Sequence, residues 1–258
     1  MKGIDAKEAL EILNITETVP MLELFRRTTE VREKRFGKRI ETCSIVNAKC
    51  GNCQQNCAFC AQSSRSKAKI SVYPLIPAEE IFQAAKAAAE HGVKRFGIVT
   101  SGTRVVPGHD LDEICKAIRR IRAELPILPC ASLGILTEEA LRQLKEAGLE
   151  RYHHNLEASP SYFPEICTTR PYSTQTGTVR AAKEIGFSVC SGGIIGIGES
   201  REQRIELFET IRSLEVDSVP LNFLSPIPGT LLEGGCGITP RDCLLAIAAA
   251  RLVMPETS

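Results

Sequence analysis

A chain of 258 residues can bury a full hydrophobic core, and its N-terminus, MKGIDAKEALEILN, mixes both charge signs at helical spacing, unlike a secretory leader; the 11 cysteines are therefore not read as a disulfide framework. A net charge of +1 with 24% charged residues provides no basic surface for nucleic acid or anionic lipid, so the cysteines point to metal ligation in a reduced, cytoplasmic setting. The longest apolar stretch, around Leu244 to Met254, is broken by Arg251 and falls short of the roughly 20 residues that a membrane span requires.

The chain opens with a helical preface to about residue 38. Strand patterns follow over Thr42–Ala48, Lys94–Thr100, Ile127–Leu133, Glu150–Leu156, Phe187–Ile194 and Asp217–Asn222. They alternate with helical patterns over Ala78–His91, Leu111–Ala123, Thr137–Ala147, Thr174–Ile185, Arg201–Leu214 and Pro240–Leu252. Pro77 and Pro240 mark helix starts, and Gly92, Gly148 and Gly186 follow helix ends. Six strand–helix units in succession imply parallel strands with right-handed crossovers, and favour an α/β fold of the (β/α) TIM-type barrel over an open doubly wound sheet. The expected organisation is a helical N-terminal extension over 1–38 and a barrel domain over 39–258. Barrel chemistry gathers at the C-terminal ends of the strands. There, directly after the first strand, the chain reads CGNCQQNCAFCAQ at 50–62.

Cys53, Cys57 and Cys60 form a Cys-x3-Cys-x2-Cys run. Three thiolates on a four-iron four-sulfur cluster leave one iron open for chemistry. Cys50 makes the run a double Cys-x2-Cys pair, which would also close a tetrahedral structural zinc site. The run resembles the radical S-adenosylmethionine superfamily, in which the amino and carboxylate groups of S-adenosylmethionine chelate the open iron and one electron from the cluster releases a 5′-deoxyadenosyl radical. Under that resemblance Cys50 is a neighbour, because a fourth thiolate would occupy the iron that S-adenosylmethionine needs.

Further segments narrow the resemblance: CSIVNAK at 43–49, AQSSRSK at 61–67, YHHNLEASP at 152–160, ICTTRPY at 166–172, VCSGGIIGIGE at 189–199 and SVPLNFLSPIPGT at 218–230. In this order they resemble the biotin synthase family, which implies insertion of one sulfur atom between a methyl and a methylene carbon of dethiobiotin. The resemblance gives Glu157 to the ribose hydroxyls, Asn155 to both cofactor and substrate, and Ile194 to the adenine. Asn222 offers both donor and acceptor, as recognition of a cyclic urea requires. Gly192 and Gly193 let a cofactor approach the backbone or simply make a tight turn. Phe59 would flank the adenine or pack in the core, and Arg170 would meet a carboxylate or face solvent. His153 stands where the more familiar family pattern has asparagine, a variation of the substrate pocket. Of His153 and His154 only one can point inward.

A second metal site is expected lower in the barrel. Gly97, Cys130 and Cys190 are each fourth in their expected strands and so are read at similar depth. The family's best-known members have cysteines at all three matching positions and an arginine from a later strand, holding a two-iron cluster that supplies the inserted sulfur. Gly97 removes one of those ligands. Cys43, seven residues before Cys50 and roughly 23 Å down an extended strand, is at the depth to replace it, which gives an auxiliary cluster of two-iron or four-iron type on Cys43, Cys130 and Cys190. The alternative is that Cys43 is a small buried hydrophobe. Cys115, Cys167, Cys236 and Cys243 show no paired spacing.

Six units are two strands short of the family's barrel, so the C-terminal strands are read as missing: either the sequence is a fragment or the barrel is closed by other means, since a six-unit barrel would expose an edge strand. The expected partners are dethiobiotin, a flavodoxin-type reductant, iron-sulfur assembly proteins and a second copy in a homodimer, with neither nucleic acid nor membrane. The competing readings are another radical mutase or lyase of this architecture, in which the lower cysteines only pack, and a non-catalytic iron-sulfur or zinc protein.

Overall fold

In the computed structural model, which describes residues 2–258, strand and helix alternate along the chain. Strands β1 (Cys43–Lys49), β2 (Arg95–Thr100), β3 (Leu128–Ser132), β4 (Arg151–His153) and β5 (Ser188–Cys190) form one parallel sheet in chain order. Strands β6 (Gly193–Ile195) and β7 (Leu221–Phe223) pair in parallel beside it, joined through bridges from Glu157 to Gly193 and from Cys190 to Ser218. Sequential parallel strands of this kind are the wall of a TIM-type barrel.

The N-terminal preface is two helices, α1 (Ala6–Leu13) and α2 (Thr18–Phe36). The strands are joined by α3 (Ala78–Glu90), α4 (His109–Glu124), α5 (Glu138–Glu146), the short α6 (Phe163–Ile166), α7 (Ser173–Glu184) and α8 (Arg201–Ser213), and α9 (Pro240–Val253) follows β7. The expected punctuation holds. Pro240 begins α9 behind a Thr239–Asp242 capping box, and Gly92, Gly148 and Gly186 take left-handed φ of 75°, 96° and 87° just past their helices.

Alternation along the strands separates two chemistries. Phe96, Ile98, Ala131, Tyr152 and Val189 are buried among Ile81, Ile114, Ile118, Leu141 and Val179 of the surrounding helices. Each fully buried Val, Leu, Ile or Phe side chain stabilises the fold by about 1.5–3 kcal/mol. The opposite parity is mostly polar or titratable, with Cys43, Asn47, Arg95, Cys130, Ser132, Arg151, His153 and Cys190 beside the apolar Ile45, Val99 and Leu128, and faces the barrel interior. α1 packs on α8 and α9, and α2 on α9, so the preface closes against the end of the chain.

Three strand expectations need correction. The run over 187–194 is broken at Ser191 and Gly192, because the Gly192 amide goes to Asn155 Oδ1 (3.1 Å) and its carbonyl accepts from Leu156 (2.8 Å) and Glu157 (3.3 Å), leaving nothing for a continuous ladder. The run over 217–222 pairs regularly only from Leu221, since Pro220 has no N–H to give. The fourth strand ends at His153, and Glu157 beyond it has φ 69°. Depth is also refined. Gly97 lies directly across from Cys130, whereas Cys190 lies across from His153, two residues further along β4 than Arg151, the partner of Cys130.

Candidate active site

The cysteine loop is held by amides between the thiols. Gln55 Nε2 donates to Thr103 Oγ1 (2.8 Å) and Gln55 Oε1 accepts from Thr169 Oγ1 (2.6 Å). Asn56 Oδ1 accepts from the Thr168 and Thr169 amides (3.0 and 3.2 Å), and its Nδ2 donates to Thr168 Oγ1 (2.7 Å). These contacts tie the loop after β1 to the segment after α6, and Asn52 in the left-handed region (φ 57°) turns the chain into it. Gln55, Asn56, Thr103 and Thr169 were not singled out by sequence; a polar run between closely spaced cysteines is the signal that was available.

Cys53, Cys57, Cys60 and Phe59 line a cleft of about 270 Å³ together with His153, His154, Asn155, Glu157, Arg170, Gln175 and the β2 and β3 ends at Val99 and Ser132. Burial pushes the Cys57 thiol up to about 12, opposed by the Arg170 guanidinium, and burial likewise raises Cys60. Arg170 Nη1 donates to Cys57 Sγ at 3.6 Å, so Arg170 faces the site and not solvent. Burial raises the Glu157 carboxyl to about 7, against the pull of Arg170 and a hydrogen bond from Asn155 Nδ2 (3.4 Å). Burial lowers both His153 and His154 to about 4, so each is a neutral imidazole at pH 7. His154 Nε2 and Asn47 Oδ1 are buried with no hydrogen-bond partner.

Behind the thiols lies an apolar wall. Phe59, Ile194 and Cys57 pack against Ala58, Phe163, Ile166 and Ile197. Ile194 donates its amide to Glu157 O (2.8 Å) and lies across from Asn222, so Glu157, Ile194 and Asn222 are adjacent in the fold. Asn222 is exposed and stands outside the cleft lining. A Cβ on Gly193 would meet Glu157 O and Leu207 Cδ2 at 2.8 Å, so this backbone passes too closely for any side chain. The turn after β6 is pinned by Glu199, which accepts from the amides of Gly196 and Ile197 (2.8 Å each) and pairs with Arg204 (2.6 Å).

The lower thiols form a separate group. Cys43 sits within electrostatic reach of both Cys130 and Cys190, and all three lie in the field of Arg95 and Arg151. Partial loss of water raises Cys43, and burial raises Cys190 and pushes Cys130 to about 12. Cys43 itself is exposed, which does not match its reading as a buried hydrophobe. A Cβ on Gly97 would stand 3.1 Å from Ile45 Cγ2, so the space a ligand at 97 needs is partly taken. Arg95, bonded to Glu150, and Arg151, bonded to Ser188 Oγ (2.9 Å), are interior guanidinium groups that sequence did not single out, although both fall on the inward parity.

The donor sets suit iron-sulfur clusters. Cys53, Cys57 and Cys60 line one cleft, so three thiols are at hand there for a four-iron cluster with one iron left open. A four-iron cluster spreads its thiolates, because each meets a different iron.

Comparison with known proteins agrees. Residues 49–211 match the radical SAM superfamily, and residues 220–258 match the biotin and thiamin synthesis associated domain. The biotin synthase of Citrifermentans bemidjiense is 50% identical over 98% of this chain and 76% of its own length, and that of Geobacter sulfurreducens is 49% identical over 98% and 77%. This chain belongs to the biotin synthase family. Family membership makes it a radical S-adenosylmethionine sulfurtransferase, with a four-iron cluster, S-adenosylmethionine and an auxiliary iron-sulfur cluster as cofactors. Methylornithine synthase matches with a TM-score of 0.88 at 21% identity, covering 99% of this chain and 74% of that one. The FeFe-hydrogenase maturase HydG of Carboxydothermus hydrogenoformans matches with a TM-score of 0.83 at 21% identity, covering 99% and 61%. At these identities the likeness is one of fold, the radical S-adenosylmethionine barrel.

Proposed function

We propose that this protein inserts sulfur into dethiobiotin to give biotin with the residues of the two thiol groups in distinct roles. Cys53, Cys57 and Cys60 hold the upper cluster, and Cys43, Cys130 and Cys190 hold the lower one, with Arg95 and Arg151 balancing its charge. When bound, the upper cluster would supply the electron for reductive cleavage of S-adenosylmethionine, and the lower cluster would supply the sulfur. The observation that carries the reading is the stacking of two cysteine groups along one barrel interior with a polar cleft at the upper one.

The chain's own side chains divide the remaining work. Glu157 and Asn155 accept and donate at the ribose end, Phe59 and Ile194 flank the adenine, and the Gly192–Gly193 backbone lets it approach. Asn155 and Asn222 orient the cyclic urea, and Arg170 lies between the Cys57 sulfur and the cofactor end of the cleft. Neutral His153 replaces an amide on the substrate side with one donor and one acceptor. The apolar wall excludes water from a radical that would otherwise be quenched.

A flavodoxin-type reductant, iron-sulfur assembly proteins, a homodimer and a cytoplasmic location complete the proposal, together with the division into a 1–38 extension and a 39–258 barrel domain. Among the described residues no helix is long and apolar enough to cross a membrane. The deciding experiment is anaerobic reconstitution with iron, sulfide and zinc analysis, followed by parallel assay of 5′-deoxyadenosine and biotin. Two clusters and both products are expected. One cluster with 5′-deoxyadenosine alone would remove the sulfur-donor role, and zinc without sulfide would end the radical reading.

A further inference from the structure

Gln175 lies in the first turn of α7 and is only 1% exposed, so both ends of its amide need partners inside the protein. Its Oε1 accepts from Arg170 Nε (3.0 Å) and its Nε2 donates to the Asn155 carbonyl (2.8 Å). Arg170, held through Nε and stacked with its guanidinium 5.5 Å from the Phe163 ring centroid, has its fork fixed so that Nη1 reaches Cys57 Sγ. The run from Cys57 through Arg170 and Gln175 to Asn155 therefore joins a cluster thiol to the cofactor cleft by one buried amide.

We propose that Gln175 is a positioning residue for the upper cluster: it holds the Arg170 guanidinium against the Cys57 sulfur, where the positive charge favours the reduced cluster and raises its reduction potential. The proposal rests on Cys57 being a ligand of that cluster. A cluster that accepts an electron gains one negative charge, and fixed charge and hydrogen bonds at its sulfurs are among the factors that set cluster potentials. The half-buried cleft strengthens the effect, since charges there are screened less than in water. A buried glutamine that only filled the core would have no reason to orient its acceptor onto an arginine aimed at a ligand thiol.

The test is an EPR-monitored redox titration of the reconstituted holoenzyme without S-adenosylmethionine, on wild type, Gln175→Met, Arg170→Gln and the double variant, with iron and sulfide measured on each. Both single variants should shift the upper-cluster midpoint to more negative potential at unchanged iron content. The double variant should shift no further than Arg170→Gln alone, because Gln175 acts through Arg170. If Gln175→Met loses the cluster, Gln175→Asn, whose amide falls short of Arg170, takes its place in the same cycle. A wild-type midpoint in the Gln175 variant, or additive shifts in the double variant, would overturn the proposal alone. A wild-type protein that takes up no upper cluster would overturn it together with the ligand reading beneath it.

Discussion

Cys50 and Cys53 are three residues apart and differ in what surrounds them. The Cys50 thiol is buried and donates to Gln62 Oε1 (3.1 Å), which also accepts from the Gly51 amide (2.6 Å), so it is occupied in holding the loop. Cys53, Cys57 and Cys60 line the cleft. Replacing any one of those three with Ala should abolish reductive cleavage of S-adenosylmethionine, measured as 5′-deoxyadenosine, whereas Cys50→Ala should retain it. Loss of the upper cluster in the Cys50 variant with retention in the Cys53 variant would reverse the assignment. His154 carries a different prediction. Its folded value near 4, lowered first by burial, against a hydrogen bond with Gln175, and then by His153 and Arg170, lies below the 6.5 of an unperturbed histidine. Between pH 6.5 and 4 the unfolded chain takes up a proton that the folded chain refuses, so stability falls as pH falls through that window, by about 1–3 kcal/mol. Urea unfolding at pH 7 and pH 5 should show this drop, and His154→Gln should make it smaller.

Among the elements, the break between β5 and β6 does the most for the site. It places Gly192 where its amide meets Asn155 Oδ1 and its Cα passes the Pro220 carbonyl so closely that a Cβ would stand 1.9 Å from that oxygen. Gly192→Ala should therefore lower the unfolding free energy by about 1–3 kcal/mol, the range for overpacking against a backbone that cannot move aside. Gly177, within α7, has nothing within 4 Å of an added Cβ. Gly177→Ala should be neutral or stabilise by up to about 1 kcal/mol, because alanine is the better helix former. Chemical denaturation of the two variants side by side checks both. The elements themselves were largely legible: helix faces repeat, prolines and glycines mark their ends, and apolar strand runs stand between them. The break at Gly192 was not, because it depends on which distant carbonyls and amides compete for one residue's backbone.

At the scale of the molecule, the two thiol groups sit at different heights of one barrel and should fail independently. Cys130→Ala, Cys190→Ala and Cys43→Ala should each leave 5′-deoxyadenosine formation intact and abolish biotin formation, with fewer irons per chain by Mössbauer spectroscopy. Normal biotin yield from Cys43→Ala would return the third ligand to another residue. Normal yield from both Cys130→Ala and Cys190→Ala would remove the lower cluster as sulfur donor.

Local spacing by itself determined the upper thiol run, the alternation of strands and helices, and the inward parity of Cys130 and Cys190, since each depends on residues close in the chain and on the fixed periods of helix and strand. The ordered segments from CSIVNAK to SVPLNFLSPIPGT were sufficient to indicate the family before any fold was seen. Only the tertiary structure decided that Arg170 turns inward, that Gln175 holds it, that Ile45 takes space beside Gly97, and that Arg95 and Arg151 flank the lower thiols. The physical reason is that these are contacts between side chains up to 113 residues apart. Register between strands and the reach of long side chains set them, and neither is written in the spacing along the chain.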